Sequence, residues 1–185
     1  CNLKCPSCPR GRGQFPSTSK QMTPDMLDKI LSKAASEFWI HEIELYDNCE
    51  PTLHKDLPQT LFVSKKYAPV VISSNASVPN VKWEDILAEY PREIVFALSG
   101  STQEMHERAH PGANMKTMLD TFETVAHFKG MYYPEMIIKV LYHRYAYNLG
   151  DEEERARKIV AKYGFQWKPL WAAVLAPDGN TNTAD

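Results

Sequence analysis

Cys1-Asn2-Leu3-Lys4-Cys5-Pro6-Ser7-Cys8-Pro9 carries three thiols in eight residues, spaced C-x3-C-x2-C. The fourth cysteine of the chain, Cys49, stands alone. Three thiols on one short loop cannot all pair as disulfides, whereas a metal or an iron–sulfur cluster uses all three. A structural zinc site asks for four ligands, usually with a second Cys or His pair at short spacing. None follows, since His41, Cys49 and His54 are scattered. Three thiolates without a fourth partner suit a [4Fe–4S] cluster with one iron left open for a substrate or cofactor. The loop reads as an active site, with Cys1, Cys5 and Cys8 as its metal ligands.

Outward from that loop, the bounds are simple. The chain has 185 residues, one domain's worth, with ample apolar content for a core. A formal charge of −2 counts against nucleic acid or an anionic membrane as partner. No apolar run approaches the ~20 residues that span a bilayer. Without a secretory signal, clustered free cysteines point to a reducing compartment, the cytoplasm. Because the chain opens on Cys1 with no Met, a segment is expected upstream. Between Cys1 and Pro24 the sequence has Lys4, Arg10, Arg12 and Lys20 and no acidic residue to offset them. That stretch reads either as a solvated loop or as a basic rim for an acidic electron donor.

Beyond a Pro-, Gly- and Ser-rich loop, Thr23 is a good N-cap with Pro24 at the first helical position, predicting a helix to about Phe38. Strand and helix then alternate. Strands are predicted at Ile43–Tyr46, Val70–Ile72, Ile94–Leu98, Met136–Tyr142 and Gln166–Val174. Helices are predicted at Leu57–Lys66, Trp83–Glu89, after the Asn114 cap, and at Asp151–Tyr163 with Gly164 as its C′ residue. Several strands are apolar throughout, which calls for a parallel sheet covered by helices. Right-handed crossovers allow an open doubly wound sheet or a partial β/α barrel, and periodicity does not choose. In both, chemistry belongs at the C-terminal strand ends, where the polar clusters fall: after Tyr46, Ile72, Leu98 and Tyr142.

The cysteine spacing resembles the CxxxCxxC motif of the radical S-adenosylmethionine (SAM) superfamily, and CNLKCPSCP resembles its branch with a C-terminal SPASM or twitch extension. One departure is Ser7, where the family often has an aromatic residue. The resemblance covers the chain from Cys1 to about Val174. It implies an α/β fold, the partial (β/α)6 barrel of that family, with five of six strands present and the first strand missing. It implies one core domain over residues 1–185, with a C-terminal extension starting at about 175–185. It also implies a [4Fe–4S] cluster whose open iron holds SAM, cleaved to a 5′-deoxyadenosyl radical that abstracts a hydrogen atom from substrate. The branch suggests a peptide, protein or cofactor-precursor substrate, and a reductant such as flavodoxin or ferredoxin.

The same resemblance assigns cofactor-binding residues. Asp47-Asn48-Cys49-Glu50-Pro51 is similar to the family's GGEP motif, so Glu50 would receive the SAM amino group. Asn48 and Cys49 replace glycines there and would narrow that approach, with Cys49 read as a buried small hydrophobe. Ser73-Ser74-Asn75 resembles the strand end that lines the SAM pocket, giving Ser73 and Asn75. Ser99-Gly100-Ser101 resembles the segment whose hydroxyls bond the SAM carboxylate or ribose, with Gly100 admitting the ligand to the backbone. Arg108 or His110 would offer a cation to the SAM carboxylate, with His110 standing where the family usually has Arg. Asn148 matches a recurrent family Asn, His143 is kept as a substrate contact, and Tyr145 and Tyr147 read as packing.

Two other functions stay open on the residues alone. One is a non-catalytic iron–sulfur or zinc module for electron transfer or structure, which need not bind SAM. The other is an RNA-modifying relative, which the near-neutral charge counts against.

Overall fold

The computed structural model describes residues 1–15, 20–175 and 181–183. Helix α1 (Pro24–Glu37) starts where its cap predicts, with Thr23 Oγ1 accepting from the Met26 N–H at 3.2 Å. The chain then runs β1 (Ile43–Glu44), α2 (Leu57–Ser64), β2 (Val70–Ser74), α3 (Trp83–Ala88), β3 (Glu93–Leu98) and α4 (Gln103–Ala109). It continues through α5 (Met115–Tyr132), β4 (Ile137–Arg144), α6 (Asp151–Ala161) and β5 (Gln166–Trp171). Asn114 caps α5 through its side chain, and Gly164 takes a left-handed φ of 68° beyond α6.

The five strands pair in parallel in the order β1-β2-β3-β4-β5. A doubly wound sheet reverses its order at a switch point. This sheet does not, so right-handed crossovers lay the connecting helices α2, α3, α5 and α6 on one face. On that face Ile72, Phe96, Leu98, Ile138, Val140 and Tyr142 meet Leu61, Trp83, Leu87, Met118, Phe122 and Val160 in one core. The opposite face carries the alternate residues, and Lys139 and Leu141 of β4 are only half-buried there. A singly wound parallel wall with helices outside is the partial β/α barrel.

Three elements differ from expectation, each for a local reason. Strand β1 is two residues long. Leu45 N–H still reaches Val71 O at 2.9 Å, but Asp47 then takes φ 95° and turns the chain away. Helix α4 forms where the sequence predicts no helix, because Thr102 Oγ1 accepts from the Met105 N–H at 3.2 Å and caps it. Strand β5 ends at Trp171, before the predicted Val174, because its partner β4 runs out at Arg144. Ala172 N–H makes the last bond, to Arg144 O at 2.9 Å. Residues Ala173–Leu175 instead pair antiparallel with Thr181–Thr183 as β6 and β7. The proposed start of a C-terminal extension falls on this ribbon and on residues 176–180 and 184–185, which lie outside the described residues. No helix among the described residues is long and apolar enough to cross a membrane.

Candidate metal and cofactor site

The cysteine loop lies across the C-terminal ends of the sheet, where two thiols meet strand exits and the third meets a helix end. Cys1 Sγ is 4.0 Å from Asn75 Nδ2, after β2. Cys8 Sγ lies 3.9 Å from Asn48 Oδ1, after β1. Cys5 Sγ sits 3.2 Å from His110 Nδ1, at the end of α4. All four cysteines are free.

The loop is folded on itself and fastened at both flanks. Cys8 N–H bonds Cys5 O at 3.1 Å, and Arg12 N–H bonds Cys8 O at 3.1 Å. A Cβ on Gly11 would stand 2.2 Å from Cys5 O, so only glycine lets these two backbones touch. Leu3 is buried, Lys4 N–H bonds Pro111 O at 3.1 Å, and Asn75 Nδ2 donates to Asn2 Oδ1 at 2.9 Å. On the other side, Tyr145 OH reaches Ser7 Oγ at 3.4 Å.

Glu50 is buried and ties two strand exits together. Its Oε1 accepts from Thr52 N–H at 3.1 Å and Thr52 Oγ1 at 2.7 Å, and its Oε2 from Asn75 N–H at 2.8 Å. An ionised carboxylate offers about four acceptor positions, so about one remains for a cation. Cys49, expected to be buried, is exposed: the turn at Asp47 swings it outward while Glu50 turns in.

After β3 the polar groups are interlocked. Ser99 is fully buried: its N–H donates to His106 Nδ1 at 3.2 Å, and its carbonyl accepts from Asn148 Nδ2 at 2.9 Å. Its hydroxyl lies 2.8 Å from His110 Nε2. Asn148, also fully buried, donates to His143 O at 2.9 Å and accepts from Tyr145 N–H at 2.7 Å, so one side chain joins the ends of β3 and β4. The rings of His106 and His110 are 4.9 Å apart, and those of His110 and His143 are 5.8 Å apart. Burial pulls His106 and His143 down to about 4, and pulls His110 well below its usual value. Burial, and then the neighbouring Cys8, push the Cys5 thiol up to about 11.

The structure therefore brings Cys1, Cys5, Cys8, Glu50, Asn75, Ser99 and His110 to one end of the sheet. Three other expected cofactor residues make different contacts. Ser73 is on the open face, in a cavity of about 310 Å³ lined also by Tyr46, Glu93, Lys139 and Lys168. Ser101 is turned to α6, its N–H donating to Glu152 Oε1 and its hydroxyl accepting from Arg155. Arg108 is exposed and lies 3.8 Å over the Tyr147 ring. Gly100 makes room for α4: a Cβ there would meet His106 N at 2.5 Å. Asn2 and Tyr145 were not legible as anchors of the loop, because their partners lie 73 and 138 residues away.

Among the described residues no group of three or more His, Cys, Asp or Glu converges on one point. A single zinc ion needs such convergence. A cluster of several irons takes its thiolates at separate corners, and three thiols that meet Asn75, Asn48 and His110 separately fit that donor set. The raised Cys5 thiol fits it too, since this buried spot disfavours a bare thiolate and a bound cation would supply the compensating charge.

The family model described as the Radical SAM superfamily matches residues 1–132. No curated protein matches at the sequence level. Among solved structures, Streptococcus suis SuiB bound to precursor peptide SuiA superposes with TM-score 0.70 at 12% identity, over 100% of this chain and 40% of that one. Native anSMEcpe with bound AdoMet gives TM-score 0.63 at 17% identity, over 100% of this chain and 52% of that one. BtrN in complex with AdoMet and 2-DOIA gives 0.55 at 19% identity, over 77% and 52%. The chain thus spans about half, or less, of the length of these structures.

Proposed function

Since the chain belongs to the Radical SAM superfamily, a family of enzymes that use a [4Fe–4S] cluster and SAM, we propose that it forms the cluster- and SAM-binding core of an enzyme that modifies a peptide or protein. The observation that carries the reading is the cysteine loop itself, three free thiols laid over the C-terminal ends of a singly wound parallel sheet. Cys1, Cys5 and Cys8 would hold the cluster. When bound, it supplies one-electron reduction of SAM, releasing the 5′-deoxyadenosyl radical that takes a hydrogen atom from substrate.

The remaining work falls to side chains of this chain. Glu50 keeps about one acceptor position for the SAM ammonium, and Asn75 holds the loop beside it. Ser73 and the open inner face leave room for substrate along the sheet, while Ser101 and Arg108 are engaged with α6 and Tyr147. A peptide or protein substrate is supported by SuiB, solved with its precursor peptide, and by anSMEcpe, solved with the Cp18Cys peptide. A flavodoxin or ferredoxin in a reducing compartment would donate the electron, meeting the acid-free stretch from Lys4 to Lys20.

Anaerobic reconstitution with iron and sulfide, followed by SAM and a chemical reductant, tests this directly. The expected result is about four irons per chain and release of 5′-deoxyadenosine. Alanine at Cys1, Cys5 or Cys8 should abolish both, while Cys49→Ala leaves both intact. A full cluster in Cys5→Ala, or loaded wild type that yields no 5′-deoxyadenosine, overturns the assignment.

A further inference from the structure

His110 stands at the end of α4 with both ring nitrogens committed. Its Nδ1 faces Cys5 Sγ at 3.2 Å, and its Nε2 faces Ser99 Oγ at 2.8 Å. The residue is 8% exposed and Ser99 is 0% exposed, so the Ser99 contact is closed to water and the Cys5 contact is partly shielded from it. The resemblance placed a cation here for the SAM carboxylate, but neither nitrogen is turned to an open space. We propose that Ser99 and His110 form a relay to Cys5 that donates a hydrogen bond to the ligand sulfur and raises the reduction potential of the cluster. The proposal rests on the reading of Cys5 as a cluster ligand.

The direction of the bonds follows from the groups themselves. A metal-bound thiolate has no proton and only accepts, so the proton between Cys5 and His110 must sit on Nδ1. Nε2 is then the acceptor in the neutral ring, and the Ser99 hydroxyl, which can donate or accept, donates to it. Ser99 has no freedom to turn away. Its N–H is bound to His106 Nδ1 and its carbonyl to Asn148 Nδ2, so the backbone that carries the hydroxyl is clamped on both sides. His110 is clamped as well, with its own N–H bonded to His106 O at 3.1 Å.

An N–H donated to a ligand sulfur stabilises the more negative, reduced cluster over the oxidised one, and so raises the potential. One hydrogen bond of ordinary strength is worth about a factor of ten in the reduction equilibrium, or ~59 mV for a one-electron couple. His110 and Ser99 are positioning residues in this scheme, acting on the cluster through Cys5.

Redox titration of the reconstituted chain, followed by the EPR signal of the reduced cluster, measures the effect beside iron content. His110→Leu removes the donor and should shift the reduction equilibrium about tenfold toward the oxidised form. His110→Asn puts an amide N–H near the Nδ1 position and should restore most of the wild-type potential. Ser99→Ala keeps the ring and its Nδ1 proton but removes the donor that polarises and orients it, and should move the potential the same way as His110→Leu by a smaller amount. Wild-type potentials in both His110→Leu and Ser99→Ala overturn the relay, as does an Asn variant that falls as far as Leu. If His110→Leu fails to load, a wild-type potential in Ser99→Ala overturns the relay, and a lowered one supports it. Wild type that holds no cluster overturns the ligand reading first and the relay with it. A loaded wild type with unmoved potentials sinks the relay alone.

Discussion

Asn148→Ala should be among the most destabilising single changes in this chain, and its cost follows from the bonds it breaks. The side chain is fully buried and makes three hydrogen bonds, two donated to Ser99 O and His143 O and one accepted from Tyr145 N–H. Alanine strands all three backbone groups in a place water does not reach. Each buried unsatisfied group costs roughly 1–3 kcal/mol, and partial relaxation brings the sum to about 3–6 kcal/mol. That is a large share of the ~5–15 kcal/mol by which domains are usually stable. With a urea slope of about 2 kcal/mol/M, the midpoint should fall by about 1.5–3 M, with the slope unchanged. Asn148→Asp keeps the acceptor for Tyr145 but sets a second oxygen against two carbonyls, so at neutral pH it should lose at least as much. A midpoint shift below about 0.5 M for Asn148→Ala would show that these bonds do not hold the ends of β3 and β4 together.

Three further outcomes are expected. Glu50→Gln turns an NH2 toward at least one of the donors now bound to Glu50, costing roughly 1–3 kcal/mol without SAM and lowering SAM affinity by about one to two orders of magnitude. Unchanged SAM affinity by calorimetry would remove Glu50 from the site. Gly11→Ala forces a Cβ into Cys5 O, costs at least ~1–3 kcal/mol locally, and should cut iron occupancy to less than about half; full occupancy would refute the tight crossing. As for pH, burial holds His106 and His143 at about 4 against 6.5 unfolded, so the unfolded chain binds more protons between those values. Their stability is complete above pH 6.5 and is lost as pH falls, by roughly 2 kcal/mol for each ring at pH 5. Urea midpoints that stay flat from pH 7.5 to 5 would contradict it.

Much of the site's chemistry was legible in order along the chain. Three thiols within eight residues specify their own loop, because short spacing keeps them together in any fold. Thr23-Pro24 and Asn114 specify helix starts, because a cap bonds only three residues away. The strand–helix alternation specified a parallel α/β sheet, since apolar strands of that length must be covered by helices. Helix α4 was legible in principle from Thr102 as a cap.

What the chain order left open was decided by contacts between distant residues. Single against double winding depends on which strands become neighbours, and only the order β1-β2-β3-β4-β5 settles it. The exposure of Cys49 depends on one left-handed turn at Asp47, a conformation that its residue type permits but does not require. Ser101 and Arg108 carry the groups a cofactor would use, and only the structure shows their contacts with Glu152 and Tyr147. Ser99 and His110 are eleven residues apart, and Cys5 lies another 105 away from His110. Residue type told what each could bond; only packing, which closes those separations and excludes water from between them, decided that they bond each other.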